Sequence, residues 1–203
     1  MVVVDHPYGA QASDDTPHRR SFTAALAHAA CQGLADAGHE TDLVDLHADG
    51  FSPMMSADEF VAWRKSLPSP DPVAADYQQR LLAADHLVFV FPIWWEAMPA
   101  ATKGFVDKVV AKGVAYRQGT RLAPMANATK LTGVTMITVM STPTLLYRIA
   151  FGQAISRILL RGTFRKIGVH NLTWLRHAGV DKKTPAARQR MLNAVRARFA
   201  RLA

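Results

Sequence analysis

Apolar positions along the chain switch repeatedly between unbroken runs and helical spacing. Residues 2–4 are three consecutive valines, the end of a first strand. Across residues 21–37, Phe22, Leu26, Ala29, Ala30, Gly33 and Leu34 recur at helical spacing, and Gly38 supplies a stop. Residues 40–46, carrying Thr41, Leu43 and Val44, predict a second strand, and residues 58–65 and 74–83 predict helices. The run HLVFVF at 86–91 suits a strand buried on both faces of a parallel sheet. A helix over 100–111 turns Phe105, Val106, Val109 and Val110 inward. Residues 131–140 predict a fourth strand, 145–160 another helix and 166–174 a fifth strand. Thr184 followed by Pro185 marks a helix start, and Met191, Val195, Phe199 and Leu202 give that last helix its apolar side.

Five strands alternating with helices predict an α/β domain built on a doubly wound, five-stranded parallel sheet. The right-handed crossover rule leaves few topologies, and strand order 2-1-3-4-5 is the one expected here. The proline-rich stretch at 67–73 reads as a loop too short to divide the chain, so residues 1–203 are expected to form one domain. The first strand opens at residue 2, which predicts a shortened start with few ladder partners at its beginning. In sheets of this order ligands sit beyond the carboxyl ends of the strands, at the switch between the first and third. Attention therefore falls on the loops after Asp5, Phe91 and Met140.

Composition narrows the class. The chain has 203 residues, 49% hydrophobic and 20% charged, the profile of an ordinary soluble protein with a sizeable core. No stretch reaches the ~18 uncharged apolar residues needed to cross a bilayer. The most apolar late segment is interrupted by Arg148 and Arg157. The opening MVVVDHPYG lacks the basic start of a secretory signal, and the lone Cys31 rules out an intrachain disulfide, so a cytoplasmic setting is expected. The net charge of +8 is skewed: residues 145–203 hold thirteen Lys/Arg and a single acid, Asp181. That face reads as solvated with some pull on anionic cofactors, or as a peripheral contact with an anionic membrane. No zinc-finger spacing or RNP-type strand accompanies it, so no nucleic-acid partner is expected.

The loop after the first strand, DHPYGAQASDDTPHRRSFTAAL, has neither a GxGxxG nor a P-loop pattern. It brings Arg19, Arg20 and the hydroxyls of Ser21 and Thr23 to a helix N-terminus, which reads either as an anion site or as a plain cap with solvated arginines. The loop after the third strand, FPIWWEAMPAATKGFVDKVV, sets Trp94 and Trp95 side by side next to Pro92. Two large flat residues at a strand tip suit a platform for a flat ligand; the plainer alternative is packing under a neighbouring loop. The other histidines, His170 and His177 among them, read as core or surface, and Cys31 as packing.

The third loop resembles the signature FPLxWxxxPAxLKGxxDRV of the NAD(P)H:quinone reductase (DT-diaphorase-like) branch of the flavodoxin-like superfamily. The match includes Phe91, Pro92, Trp95, Pro99, Ala100, Lys103, Gly104, Asp107 and Val109. It extends to His6, to RSFTAAL and to DLHADGFSPMMS at 45–56, and covers roughly the first 120 residues. The resemblance implies a flavin-dependent NAD(P)H oxidoreductase passing two electrons to a quinone-like acceptor by ping-pong hydride transfer. It implies a flavin, FMN or FAD, with its phosphate at Arg20, Ser21, Phe22 and Thr23, His6 close by, and its ring edge at Pro92, Ile93, Trp94 and Trp95. Ser141 and Thr142 would face the ring, Tyr147 would be a catalytic donor, and Met98 and Tyr116 would line the acceptor pocket of a homodimer. NADPH or NADH would be the electron donor. Thr23 stands where relatives usually have Asn, Pro143 interrupts a Thr-Thr-Gly-Gly type turn, and Gln153 stands near the place of a histidine. The alternative is a non-enzymatic flavodoxin-like regulatory or docking module with a basic C-terminal face.

Overall fold

The structure, a computed structural model, describes residues 1–12, 20–119 and 125–202. Strands β1 (Val2–Val4), β2 (Leu43–Asp45), β3 (His86–Pro92), β6 (Gly133–Met140) and β7 (Asn171–Ala178) pair in parallel in the order β2-β1-β3-β6-β7. The order is the one expected, 2-1-3-4-5. Residues 87–91 are buried without a break because helices cover both faces. On one face Val2, Val4, Val88, Val90 and Ile137 pack against α1 (Phe22–Asp36) and α6 (Pro185–Phe199). Alternate residues, Val3, Phe89, Phe91 and Met136, point to the other face. There they meet α3 (Pro72–Ala83), α4 (Ala100–Lys108) and a π-helix (Ser156–Arg165) through Tyr77, Phe105 and Phe164.

Two glycines explain close approaches. A methyl group on Gly33 would overlap the Arg196 carbonyl, so α1 and α6 touch backbone to backbone. One on Gly104 would overlap the backbone of Pro53, which seats α4 against the loop before α2 (Ala57–Arg64). Two of the sequence motifs, KGFVD and FSPMMS, thus meet here.

Four expectations need correction. β1 is not thinly paired at its start: Val2 lies opposite both Leu43 and Val88, and the Met1 amino group donates to the His86 carbonyl at 3.0 Å. The helix expected over 145–160 is two pieces, the short α5 (Thr144–Ile149) and the π-helix, because Gly152 and Gln153 both take positive φ between them. The fifth strand starts five residues later than expected. Residues 166–169 instead close the π-helix: Lys166 N–H donates to Arg161 O, and Val169 N–H to Phe164 O. Finally, β4 (Tyr116–Gln118) and β5 (Met125–Asn127) form an antiparallel hairpin whose polar sequence gave no alternation to read.

Candidate functional site

The carboxyl ends of β1, β3 and β6 meet where the strand order reverses. Helix α4 begins at Pro99, which offers no capping side chain. The cap comes instead from the end of β1: buried Asp5 accepts from Thr102 N–H at 2.6 Å and Thr102 Oγ1 at 2.7 Å, while His47 Nε2 lies 3.0 Å from its other oxygen. Asp45 at the end of β2 accepts from the N–H groups of Ala10, His47 and Ala48, fixing the loop after β1. His6 Nδ1 accepts from Tyr8 N–H at 3.2 Å, so its proton resides on Nε2. Burial, and then the neighbouring His47, hold His6 below the usual imidazole range.

At the start of α1, Ser21 Oγ accepts from Ala24 N–H at 3.1 Å. Phe22 and Thr23 are buried, and among the described residues their N–H groups have no protein partner. Arg20 is exposed beside them, and Arg19 lies outside the described residues. The Phe22 ring stands edge-on to His177, whose Nε2 is buried without a partner among the described residues; burial pushes His177 down to about 4.

The connection from β3 to α4 carries the most unusual backbone. Trp94 and Ala97 exchange both N–H to C=O bonds at 3.0 Å, and between them Trp95 (φ 49) and Glu96 (φ 62) form a type I′ turn. Tryptophan at positive φ carries on the order of 1–3 kcal/mol of strain, so the surroundings must impose it. They do: Glu96 O accepts from Tyr147 Oη at 3.1 Å, and Glu96 Oε1 from Thr142 Oγ1 at 3.1 Å. The turn projects Trp95 entirely into solvent, with Trp94 45% exposed. Both tryptophans sit beyond the strand rather than within it. The Ile93 N–H is engaged by Val139 O at 2.8 Å, so in residues 92–95 only the Trp95 N–H is free to meet a ligand. Pro92 and Ile93 are half-buried beneath it.

Tyr147 does not reach solvent. Its hydroxyl accepts from Ile155 N–H at 3.1 Å while donating to Glu96 O, and its ring packs against Trp174. Burial pushes this phenol up, with Ile155 acting against and Glu96 with that shift. In geometry it is a brace for the turn. Ser141 is exposed and Thr142 is occupied with Glu96. Met98 is half-buried against the core. Tyr116 lies elsewhere, in a groove of about 390 Å³ with Phe60, Trp63, Val106 and Met125, which shares no residue with the strand-end site.

Glu96, Asp5 and Thr102 were not singled out from sequence. Asp5 and Thr102 had a signal: a helix opening on proline needs a cap from elsewhere. Glu96 had none, since its carboxylate acquires a role only through Thr142 and leaves Oε2 buried and, among the described residues, unpaired. Among the described residues no His/Cys/Asp/Glu group is arranged to hold a metal ion, and no helix is long and apolar enough to cross a membrane.

Comparison with known proteins agrees with this geometry. An uncharacterized NAD(P)H oxidoreductase of Escherichia coli is 33% identical over 106 residues, 52% of this chain and 54% of that protein. An NAD(P)H dehydrogenase [quinone] 1 of Rattus norvegicus is 32% identical over 136 residues, 58% of this chain and 49% of that protein. The chain thus spans about half the length of these two relatives. The solved NAD(P)H:quinone oxidoreductase from Methanothermobacter marburgensis superposes with a TM-score of 0.81 at 23% identity, covering 100% of this chain and 97% of that one. The profile of the flavodoxin-like fold matches residues 11–199, and with the sheet order and strand-end site already described, the chain belongs to that family, its relatives lying in the NAD(P)H:quinone reductase branch.

Proposed function

We infer that this chain is a flavin-dependent oxidoreductase that takes electrons from NAD(P)H and delivers them to a quinone-like aromatic acceptor. The observation that carries the reading is the strained turn: Trp95 is held fully exposed, beside free backbone donors, at the strand-order switch. The residues present fit a flat ring with a polar edge and an anionic tail. The N–H groups of Phe22 and Thr23 form the positive end of α1, which suits a phosphate, with Arg20 adding charge. The Trp95 N–H supplies a donor for a ring edge.

A flavin bound there supplies hydride chemistry that no side chain can perform. The chain's own residues bind and orient. Trp95 offers a stacking face, and Tyr147 and Thr142 hold the turn that carries it. His6 presents Nε2–H from the first loop. The open setting of Trp95 supports alternate use by donor and acceptor, as ping-pong two-electron transfer requires. Both FMN and FAD suit the phosphate end as described. Tyr116 and Met98 enter this reading as acceptor-pocket residues of a homodimer, where Tyr116 of one protomer completes the other's site. The reading treats residues 1–203 as one domain, set in the cytoplasm.

A second reading has its own observation. Leu145, Leu146, Ile149 and Phe151 are exposed on and after α5, next to Arg148. An apolar face rimmed by arginine supports docking on a partner or an anionic membrane as the alternative function. The visible absorption spectrum decides between them. Flavin bands bleached by NADPH or NADH and restored by a quinone support the oxidoreductase. A colourless protein that binds neither FMN nor FAD overturns it and favours docking.

A further inference from the structure

Helix α5 ends at Ile149, and the chain reverses before the π-helix begins at Ser156. Gly152 (φ 60) and Gln153 (φ 55) make the reversal, and the Gln153 carbonyl accepts from the N–H groups of Ser156 and Arg157. The bend leaves a concavity of about 230 Å³ lined by Arg148, Gly152, Gln153, Ser156, Arg157 and Arg161. The Arg157 guanidinium lies over Gly152, where a methyl group would stand 3.4 Å from Nη1. Gly152 supplies the turn through its positive φ, and that side chain packs at van der Waals distance over it.

Three guanidinium groups share this small hollow, and among the described residues none has a carboxylate partner. Two arginines elsewhere are held by carboxylates, Arg80 by Asp42 and Asp76 and Arg196 by Asp36. Three guanidinium-bearing side chains around one concavity, with Ser156 and Gln153 also in its lining, suit a tetrahedral dianion. The hollow is linked to the strand-end site through Tyr147. Arg148 follows Tyr147, whose hydroxyl braces Glu96, and the Gln153 N–H donates to Tyr147 O at 3.3 Å.

We propose that this arginine hollow binds a phosphate monoester dianion, and that its ligand is the 2′-phosphate of NADPH, making NADPH the preferred donor. The inference rests on the NAD(P)H reading of the neighbouring site, but its ligand contacts involve no flavin.

Calorimetry on the whole protein tests it with 2′,5′-ADP, 5′-AMP and inorganic phosphate as probes. The expected result is that 2′,5′-ADP binds at least about tenfold tighter than 5′-AMP, as loss of two charge-assisted contacts implies. In the double variant Arg157→Gln/Arg161→Gln the two nucleotides become equal, the melting temperature is unchanged because both side chains are exposed, and in turnover KM rises for NADPH but not for NADH. Equal affinity of the two nucleotides for the unaltered protein overturns the proposal. Arginine-dependent binding of inorganic phosphate as tight as that of 2′,5′-ADP also overturns it, by making the hollow a free-phosphate site. Should the flavin reading alone fail, the protein stays colourless while the 2′,5′-ADP preference persists.

Discussion

Trp95 shows most directly how a single residue trades stability for function here. Fully exposed, it gains nothing from burial, yet it occupies positive φ, which a bulky side chain resists. Asparagine tolerates that conformation, so Trp95→Asn is expected to hold or raise stability by up to about 1 kcal/mol. The same change removes the stacking face, and turnover with a quinone should fall by about tenfold, as loss of one ring contact implies. Thermal melting and steady-state kinetics on one preparation check both arms; a drop in stability would mean that Trp95 is held by packing instead. Tyr147 separates bracing from catalysis. Tyr147→Phe leaves the buried Ile155 N–H without its acceptor and releases Glu96 O, at a cost of about 1–3 kcal/mol. The Glu96 turn loosens, so flavin affinity should fall while the pH profile of kcat keeps its shape; a lost ionisation in that profile would make Tyr147 a proton donor after all. The expectation that Tyr147 donates to a ligand came from its place in a motif. Its burial on the far side of the Glu96 turn depends on contacts across 51 residues, which no local pattern encodes.

At the scale of elements, legibility followed the period of the apolar positions. Helix α1, with Ser21 as cap and Gly38 as stop, and strand β3, buried on both faces, carried strong periodic signals and lie within a residue or two of expectation. The stretch 145–165 defeated the same method. Leu145, Leu146 and Ile149 look like an inward stripe at a 3.6-residue period, but all three are exposed. The π-helix has its own register, in which Leu159, Leu160 and Phe164 are the buried residues. That shift also moved β7 and placed Trp174 in mid-strand, where its Nε1 donates to Thr138 Oγ1 at 2.9 Å. The candidate site fared in parallel: its backbone platform and helix N-terminus were legible, whereas the Asp5 cap and Glu96 depend on tertiary approach. Gly104 shows how a motif residue can be structural. A methyl group there overlaps the Pro53 backbone, and neither helix nor loop can give without moving α4 off the Asp5 cap. Gly104→Ala should therefore destabilise the protein by about 1–3 kcal/mol, despite the better helix propensity of alanine. Denaturant unfolding measures it; an unchanged or increased midpoint would show that the loop before α2 yields freely.

For the whole molecule, the response to acid follows from a few buried groups. Lys108, 1% exposed at the side chain, lies 2.9 Å from Glu59 and 2.7 Å from Asp71, and also donates to Ser52 O. The cluster ties α4 to α2 and to the start of α3. Burial works to raise Glu59 and Asp71, but hydrogen bonds and the ammonium of Lys108 hold both below the ordinary carboxylate range. Groups depressed in the folded state contribute stability that is present above their unfolded values and lost as pH falls through the folded ones. Lys108 works in the opposite sense. Burial acts to lower it, yet Asp71 and Glu59 raise it, so its contribution is complete at neutral pH and is lost only above its unfolded value near 10.5. His177 adds an earlier step. Burial holds it at about 4 without a partner among the described residues, while the unfolded chain takes up a proton near 6.5. Between those values the unfolded state binds more protons, and stability declines by on the order of 3 kcal/mol from this residue alone. Acid unfolding is accordingly expected in two stages, a gradual loss from about pH 6.5 and a steeper one below the ordinary carboxylate range, as Glu59 and Asp71 are protonated. His177→Phe should shrink the first stage to the part that falls to His86 and leave the second, whereas Lys108→Met, which strands the buried Glu59 and the partly buried Asp71, should cost about 3–5 kcal/mol at pH 7 and recover part of that as the pH is lowered. Midpoints of urea unfolding taken from pH 7.5 to 4 read out both changes: a His177→Phe protein that weakens between pH 6.5 and 5 as much as the unaltered one would assign the early proton uptake to His86, which burial also holds at about 4.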